Sequence, residues 1–405
     1  MRRYAVLTLS VSAIFLMAVG VLANSKTLFI MCTLMMMTLV AMRLQAMLAT
    51  RGLKFERIAP TVMVAGELVS IRLRVWSLIR LRRPLLIITD VLPPKLASET
   101  DLRPLPVAPN FEEAVETRYE IRPLKRGIFR WSRVRVTSTD SLGLIMVTRE
   151  YETEPFEVVI HPAKIPFGAD MLALSGWGAN QSDEGRNRGV GIEPRGVREF
   201  MPGDSLRQVH WKSTARTGVL QVKEFDTGFN TNLLMMVQQT DGTEAGDGAL
   251  TTLEAMCGHA AFLADVMLNR GSTVSLPNLE SPQVTPANSS AVRFRQVCDA
   301  LSAANADRHH SFASEFDSVL QKLRGGSTLV LFLSAAEPGL SDAIRRAANH
   351  AQVVCLVYDA PSYAGTPLAK GRIPATDPDF LAAISMPGVT IKMMANPFHS
   401  DEKAA

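Results

Sequence analysis

The chain predicts a multidomain membrane protein: an N-terminal transmembrane helical hairpin, an antiparallel β-sandwich, and then an α/β domain. Three observations predict it. Two apolar runs open the chain, a hydrophobic period of two governs the residues from about Leu53 to Pro162, and apolar runs alternate with helical spacing from Asn230 onward. With 405 residues, 47% of them hydrophobic, there is material for more than one core. The boundaries that follow are 1–50 for the two helices, 51–165 for the sandwich, 166–229 for a connecting segment, 230–396 for the α/β domain and 397–405 for a flexible tail.

The runs Tyr4 to Ala23 and Thr27 to Leu48 are each about 20 residues, the length that spans a bilayer. Asn24-Ser25-Lys26 is so short a linker that the two helices must run antiparallel, with both ends on one side. Arg2 and Arg3 mark one end and Arg51, Lys54 and Arg57 the other, against Lys26 in the turn, so the positive-inside rule places both termini in the cytoplasm of a two-span cell-membrane protein. Arg43, inside the second run, is near enough to that side to snorkel. The competing reading, a cleaved signal peptide ending at Val21-Leu22-Ala23, is opposed by the second run.

In the next segment Val69, Ile71, Leu73 and Val75 alternate with Ser70, Arg72 and Arg74, as do Val134 and Val136 with Arg133 and Arg135. Strands with one wet face are implied, joined by turns at Ala65-Gly66-Glu67, Leu92-Pro93-Pro94 and Lys125-Arg126-Gly127. The net charge of +4 is concentrated here, in Arg51, Lys54, Arg57, Arg72, Arg74, Arg80, Arg82 and Arg83. Cations beside a membrane anchor, with only Trp76 interleaved, favour an anionic lipid surface and exclude nucleic acid as a partner. Cys32, Cys257, Cys298 and Cys355 lack metal-ligand spacing and read as buried free thiols.

Residues from Ala163 to Arg195 are glycine-rich, but no Gly-Lys-Ser/Thr follows them, so no nucleotide or other cofactor is expected. Beyond Asn230, Leu233 to Val237, Thr328 to Leu333 and Val353 to Tyr358 read as buried strands, with Val389 to Met393 as a last one. Leu250, Leu253, Met256, Ala260, Leu263 and Met267 share a helical face. Val292 to Ala303, Phe312 to Leu323 and Leu340 to Ala348 complete the helices. Unbroken apolar strands alternating with helices make a parallel sheet covered on both faces.

Arg195 to Phe225 packs charge, turn chemistry and one tryptophan into a short stretch. Pro202-Gly203-Asp204 is a turn in which Asp204 can cap a short helix starting near Ser205. Two readings stand. In one, Asp204 forms a partly buried ion pair with Arg207 or Arg216, with Trp211 buried beside them; in the other, the stretch is a contact surface for a partner. Arg198, Glu199-Phe200, Pro202-Gly203-Asp204, Arg207, Trp211-Lys212 and Ala215-Arg216 agree in order and spacing with a known signature, and the stretch resembles the domain of unknown function 58 family. Asp140-Ser141-Leu142-Gly143-Leu144 is similar to an element of that family's sandwich.

The resemblance implies a membrane-tethered protein whose α/β domain is von Willebrand factor A-like (Rossmann-like), often encoded beside a MoxR-type AAA+ ATPase. Metal-binding A-type domains carry Asp-x-Ser-x-Ser after the first strand; here Gln238-Gln239-Thr240-Asp241-Gly242 stands there, with Ser334-Ala335 where relatives show Ser-Asp. A hard cation needs anionic oxygen, and neutral Gln238 is a poor substitute, so a degenerate edge of Gln238, Thr240, Asp241, Gly242 and Ser334 without tight Mg²⁺ or Mn²⁺ binding is expected. Asp241 leaves room for a weak site, and Gln238→Asp is expected to strengthen binding where the remaining geometry is intact. His210 with Asp204 and Ser213 has the composition of a hydrolytic triad without a nucleophile elbow, and His309-His310 is a polar-loop pair. The expected function is a non-enzymatic adaptor working with a MoxR-type ATPase; the alternative is an envelope-associated hydrolase or transferase centred on Asp204 and His210.

Overall fold

The structure is a computed structural model describing residues 2–80, 83–93, 96, 104–111, 113–140, 143, 145–166, 193–199, 209–226, 232–279, 289–321 and 327–398, with the backbone alone for 2–6, 193–199 and 223–226. The chain forms two compact units, Met1–Ala163 and Lys164–Ala405.

In the first unit, α1 (Arg2–Leu22) and α2 (Lys26–Ala49) form a hairpin whose linker turns at Asn24, φ +47°. Contact is made through small residues: Ala13 and Ala46 are buried, and the Cys32 thiol donates to the Ala13 carbonyl over 2.7 Å. Large apolar side chains such as Phe15, Ile30, Met37 and Val40 point outward. Of the two helices, α2 has the length and composition to cross a membrane; Leu7–Leu22 of α1 is a shorter apolar stretch.

Among the described residues eight strands follow: β1 (Leu53–Ile58), β2 (Val62–Val64), β3 (Val69–Ser77), β4 (Leu86–Val91), β5 (Leu105–Val107), β6 (Val115–Ile121), β7 (Gly127–Thr139) and β8 (Met146–His161). They make a three-stranded sheet, β1-β3-β6, and a five-stranded sheet, β2-β8-β7-β4-β5. Ile71, Leu73 and Val75 of β3 are fully buried, as the alternation requires. One core cluster joins Leu53, Phe55, Leu73 and Val75 of the smaller sheet to Leu86, Ile88, Val134 and Val136 of the larger. A second does the same with Ile71 and Ile121 against Trp131, Val158 and Ile160. Pairing is not antiparallel throughout: β2 runs parallel to β8, because the three-residue β2 joins the edge through Val62 and Val159 without a hairpin.

Arg57, counted from sequence among the membrane-facing cations, is instead buried. Its guanidinium grips Asp90 through Nε (2.8 Å) and Nη2 (2.6 Å), lies 5.2 Å above the Trp131 ring, and ties β1 to β4 across the two sheets. The Tyr119 hydroxyl on β6 also donates to Asp90, and burial first, then the Asp90 charge, holds the Tyr119 phenol far above its usual range. Arg72 and Arg74 face Glu116 and Glu56 on the outer surface.

In the second unit the first described strands form a two-stranded ribbon, β9 (Glu193–Glu199) and β10 (Gln221–Asp226), which flanks the short helix α3 (Trp211–Thr217) in sequence. Its centre is a parallel sheet of β11 (Asn232–Val237), β14 (Thr273–Ser275), β15 (Thr328–Leu333), β17 (Gln352–Tyr358) and β19 (Val389–Met394), in the order β14-β11-β15-β17-β19. Two-residue ribbons, β12 (Gly246–Asp247) with β13 (Leu250–Thr251) and β16 (Ala335–Ala336) with β18 (Ile373–Pro374), trim its edge. The helices are α4 (Thr252–Asn269), α5 (Ser290–Ser302), α6 (Phe312–Leu320), α7 (Leu340–Ala348) and α8 (Pro378–Ile384). Leu233, Met235 and Val237 pack on one face with α4 and α5, whereas Leu234 and Met236 pack on the other with α6, α7 and α8. Leu250 lies in β13 and is exposed; Thr251 caps the Glu254 amide and starts α4 two residues after the position that periodicity suggested.

His259 of α4 is buried, with Nδ1 2.8 Å from the Tyr358 hydroxyl. Burial lowers its pKa to about 4. The folded state therefore binds fewer protons than the unfolded chain between about pH 6.5 and 4, so the associated stability is complete above pH 6.5 and is lost as pH falls through that window, by about 3 kcal/mol. Denaturant titrations at a series of pH values should show His259→Gln losing this component, and parallel wild-type and variant profiles would refute the assignment.

Candidate functional site

In an open parallel sheet, ligands bind beyond the carboxyl ends of the strands where the strand order reverses. Here that point lies between β11 and β15, because the chain passes from β11 outward to β14 and then returns to β15 on the other side. The residues that follow these strands are Gln238 and Ser334, two of the predicted edge residues, and the structure brings them together. The Gln238 amide oxygen accepts from the Ser334 N–H (2.9 Å) and the Ala335 N–H (3.0 Å). Its Nε2 donates to the Ala335 carbonyl (3.0 Å) and to Glu337 Oε1 (2.6 Å). Ser334 Oγ donates to the Thr243 carbonyl (2.6 Å) and lies 3.3 Å from the Gln238 oxygen.

Both donors and both lone pairs of the amide are thus used, and Gln238, Ser334 and Glu337 are all buried. Glu337, which sequence reasoning did not single out, spends its second oxygen on Ser311 Oγ (2.8 Å) and the Phe312 amide (2.9 Å), at the first turn of α6. A carboxylate at 238 would lose the two donors and face Glu337, so the intact metal-site geometry on which a gain from Gln238→Asp depends is not the arrangement seen here. Such a donor set does not suit a hard cation: its central oxygen is neutral and already accepts two amides. Among the described residues there is no group of three His, Cys, Asp or Glu side chains placed to hold a metal ion.

Thr240 is buried and bridges Arg308, whereas Asp241 is exposed and uses its backbone, its N–H donating to the Arg308 carbonyl (2.8 Å) and its carbonyl accepting from Arg372 (2.7 Å). Gly242 takes φ +78°, where a Cβ would lie 2.6 Å from that of Ala369. At the nearby loop, His310 Nε2 and Arg308 Nη1 both meet Glu315, at 2.9 and 2.8 Å.

The signature stretch is described only in part. Asp204 and Arg207, and the helix expected near Ser205, lie outside the described residues, and Arg198 and Glu199 are described as backbone in β9, where they pair with Val222 and Gln221. The helix that is described, α3, starts later. His210 caps it, Nδ1 accepting from the Ser213 amide (3.2 Å) and lying 2.7 Å from Ser213 Oγ. Thr214 Oγ1 receives the Gln221 amide (3.0 Å), the His210 amide donates to the Gln221 carbonyl (2.8 Å), and Val209 and Val222 are buried together. These contacts fasten α3 to β10. No residue of α3 is buried, and Trp211 is 68% exposed, which corrects its expected burial. It sits at the first position of the helix, while the groups bonded to β10 are the His210 amide and Thr214 Oγ1. Lys212 and Arg216 are exposed as well.

The second unit is therefore an open α/β domain with a hydrogen-bonded plug at its switch point, preceded by a ribbon that displays a basic, tryptophan-bearing helix. Residues 196–379 match the family described as protein of unknown function DUF58, so the family read from the signature holds for this segment. The uncharacterized protein YeaD of Bacillus subtilis is 22% identical over 202 residues, 50% of this chain and 48% of that protein; the chain thus spans about half the length of this curated relative. Among solved structures, a CARDB domain from Pyrococcus furiosus aligns at 17% identity over 27% of this chain and 91% of its own, with a TM-score of 0.19. A conjugative transposon lipoprotein from Bacteroides eggerthii aligns at 14% identity over 26% and 99%, with a TM-score of 0.17. Likenesses so slight do not bear on the fold.

Proposed function

We propose that this protein is a non-enzymatic membrane-anchored adaptor. Both hairpin helices cross the bilayer with the termini in the cytoplasm, the strands of the first unit form a sandwich, and the sheet domain is von Willebrand factor A-like with a degenerate metal edge. Its partner is a protein, a MoxR-type AAA+ ATPase. The observation that carries the reading is the exposure of Trp211 on a helix with no buried residue. A tryptophan left in water is a poor use of apolar surface for the monomer but a strong anchor once a partner's pocket covers it. Lys212 and Arg216 beside it suit an acidic rim on that partner.

The test is crosslinking and purification from membranes. Wild-type protein should recover the ATPase, and Trp211→Ala should lower recovery at least about tenfold, the scale of an interface anchor, with no change in melting temperature. Unchanged capture, or no ATPase with the wild type, would overturn the proposal. Reporter fusions at Ala405 that are active only outside the cytoplasm would overturn the orientation.

One observation favours a second reading, the envelope-associated hydrolase or transferase: His210 and Ser213 lie 2.7 Å apart. The same ring nitrogen also accepts the Ser213 amide, the geometry of a helix cap, and that favours the adaptor. Labelling of Ser213 by a fluorophosphonate would reverse the preference.

A further inference from the structure

The loop after β3 lies against the end of α2. The Leu78 amide donates to the Gly52 carbonyl (2.8 Å), and Gly52, at φ +63°, lies so close to the loop that a Cβ there would be 2.5 Å from Ile79 Cδ1. Arg83 reaches back to donate to the carbonyl of Ala49, the last residue of α2 (2.5 Å), and to Ser77 Oγ (2.8 Å). Leu78 and Arg83 are thus hydrogen-bonded to the segment that ends α2, and Ala49 itself belongs to the adjoining core cluster.

Although tied down by its backbone, this loop turns apolar side chains to solvent. Leu78 is 57% exposed, Ile79 48% and Leu85 59%; Phe111, exposed beside them, lies under the Arg80 guanidinium, 4.9 Å from ring centre to Cζ. Arg51 and Lys54 are exposed on the segment leaving α2. Apolar tips flanked by cations, at the end of a helix long and apolar enough to cross a bilayer, have the composition of an interfacial lipid-binding element. Leu68, exposed just before the opposite end of β3, lies roughly 30 Å from Leu78 across nine residues at about 3.3 Å each.

We propose that Leu78, Ile79, Leu85 and Phe111 enter the headgroup–acyl boundary of an anionic leaflet while Arg51, Lys54 and Arg80 meet lipid phosphates, so that the first unit is seated on the membrane and not merely tethered to it. This rests on the reading of α2 as a membrane span.

The test uses the full chain in nanodiscs of phosphatidylcholine, alone or mixed with phosphatidylglycerol. A bimane fluorophore is placed at Leu78→Cys, Leu85→Cys, Leu68→Cys or Met37→Cys, the last in mid-α2; the four native thiols are buried. Lipids brominated on their acyl chains should quench the labels at 78 and 85 several-fold more than at 68, more strongly with phosphatidylglycerol, and Arg51→Gln with Arg80→Gln should remove the added effect. Quenching at 78 and 85 no greater than at 68, with strong quenching at 37, would overturn the lipid site and leave the span intact. No quenching at 37 would overturn the span and the site with it. Quenching at 78 and 85 that is indifferent to phosphatidylglycerol would overturn the phosphate contacts.

Discussion

Asp90→Ala is expected to loosen the first unit by about 3–5 kcal/mol, because it strands the Arg57 guanidinium, only 2% exposed, between two sheets. The pair is bidentate, stacked on Trp131 and shared with Tyr119, so removing Asp90 leaves two groups, the Arg57 guanidinium and the Tyr119 hydroxyl, without their partner. Hydrogen exchange on the solubilised full chain reads the effect: amides of β3, β4 and β7 should exchange on the order of 10²–10³-fold faster, while β15 and β17 in the other unit stay as internal references. Replacing both members, Arg57→Met with Asp90→Leu, should restore much of the protection, since an apolar pair of similar volume needs no desolvation of charge. Unaltered exchange in Asp90→Ala would show that the pair contributes no more than a surface contact, about 0–1 kcal/mol.

The second large effect belongs to Gln238→Glu. The substitution preserves shape but exchanges two N–H donors for an acceptor, aimed at the Ala335 carbonyl and at Glu337 Oε1, 2.6 Å away. Two carboxylates this close and this buried cannot both ionise, so one must hold a proton at neutral pH or the plug must open. Folding of the second unit should weaken by about 3 kcal/mol or more at pH 7 and recover as pH falls, since protonation restores one donor. Denaturation midpoints at pH 7.5 and 5.5, set against wild type, measure it. A variant as stable as wild type at both values would mean that the amide is not the pin of the switch point. Mg²⁺ titration of the same protein separates the two views of this edge: an open metal site would gain affinity from the new carboxylate, whereas a plug gains nothing but repulsion.

Much of this architecture is written in local pattern. The inward positions of β3, the six-residue buried strands β11 and β15, and the helical face of α4 follow from periods of two and about 3.6, which any reader of the chain can count. The signature residues were legible for the same reason, since order and spacing are linear properties, and so was the absence of a leading carboxylate at Gln238. What only the tertiary structure decided are the pairings between distant residues. Arg57 and Asp90 are 33 positions apart, and Gln238 and Glu337 are 99 apart, so nothing local marks either carboxylate as the partner of a buried donor. Arg57 therefore read as a membrane-side cation and Glu337 went unnoticed. The same holds for Trp211: its size favours burial on average, but whether it faces β10 or water depends on which of its neighbours, here His210 and Thr214, anchor the helix. Chain pattern sets which faces are apolar; only folding sets which polar group meets which, because hydrogen bonds and ion pairs are satisfied across space and not along the chain.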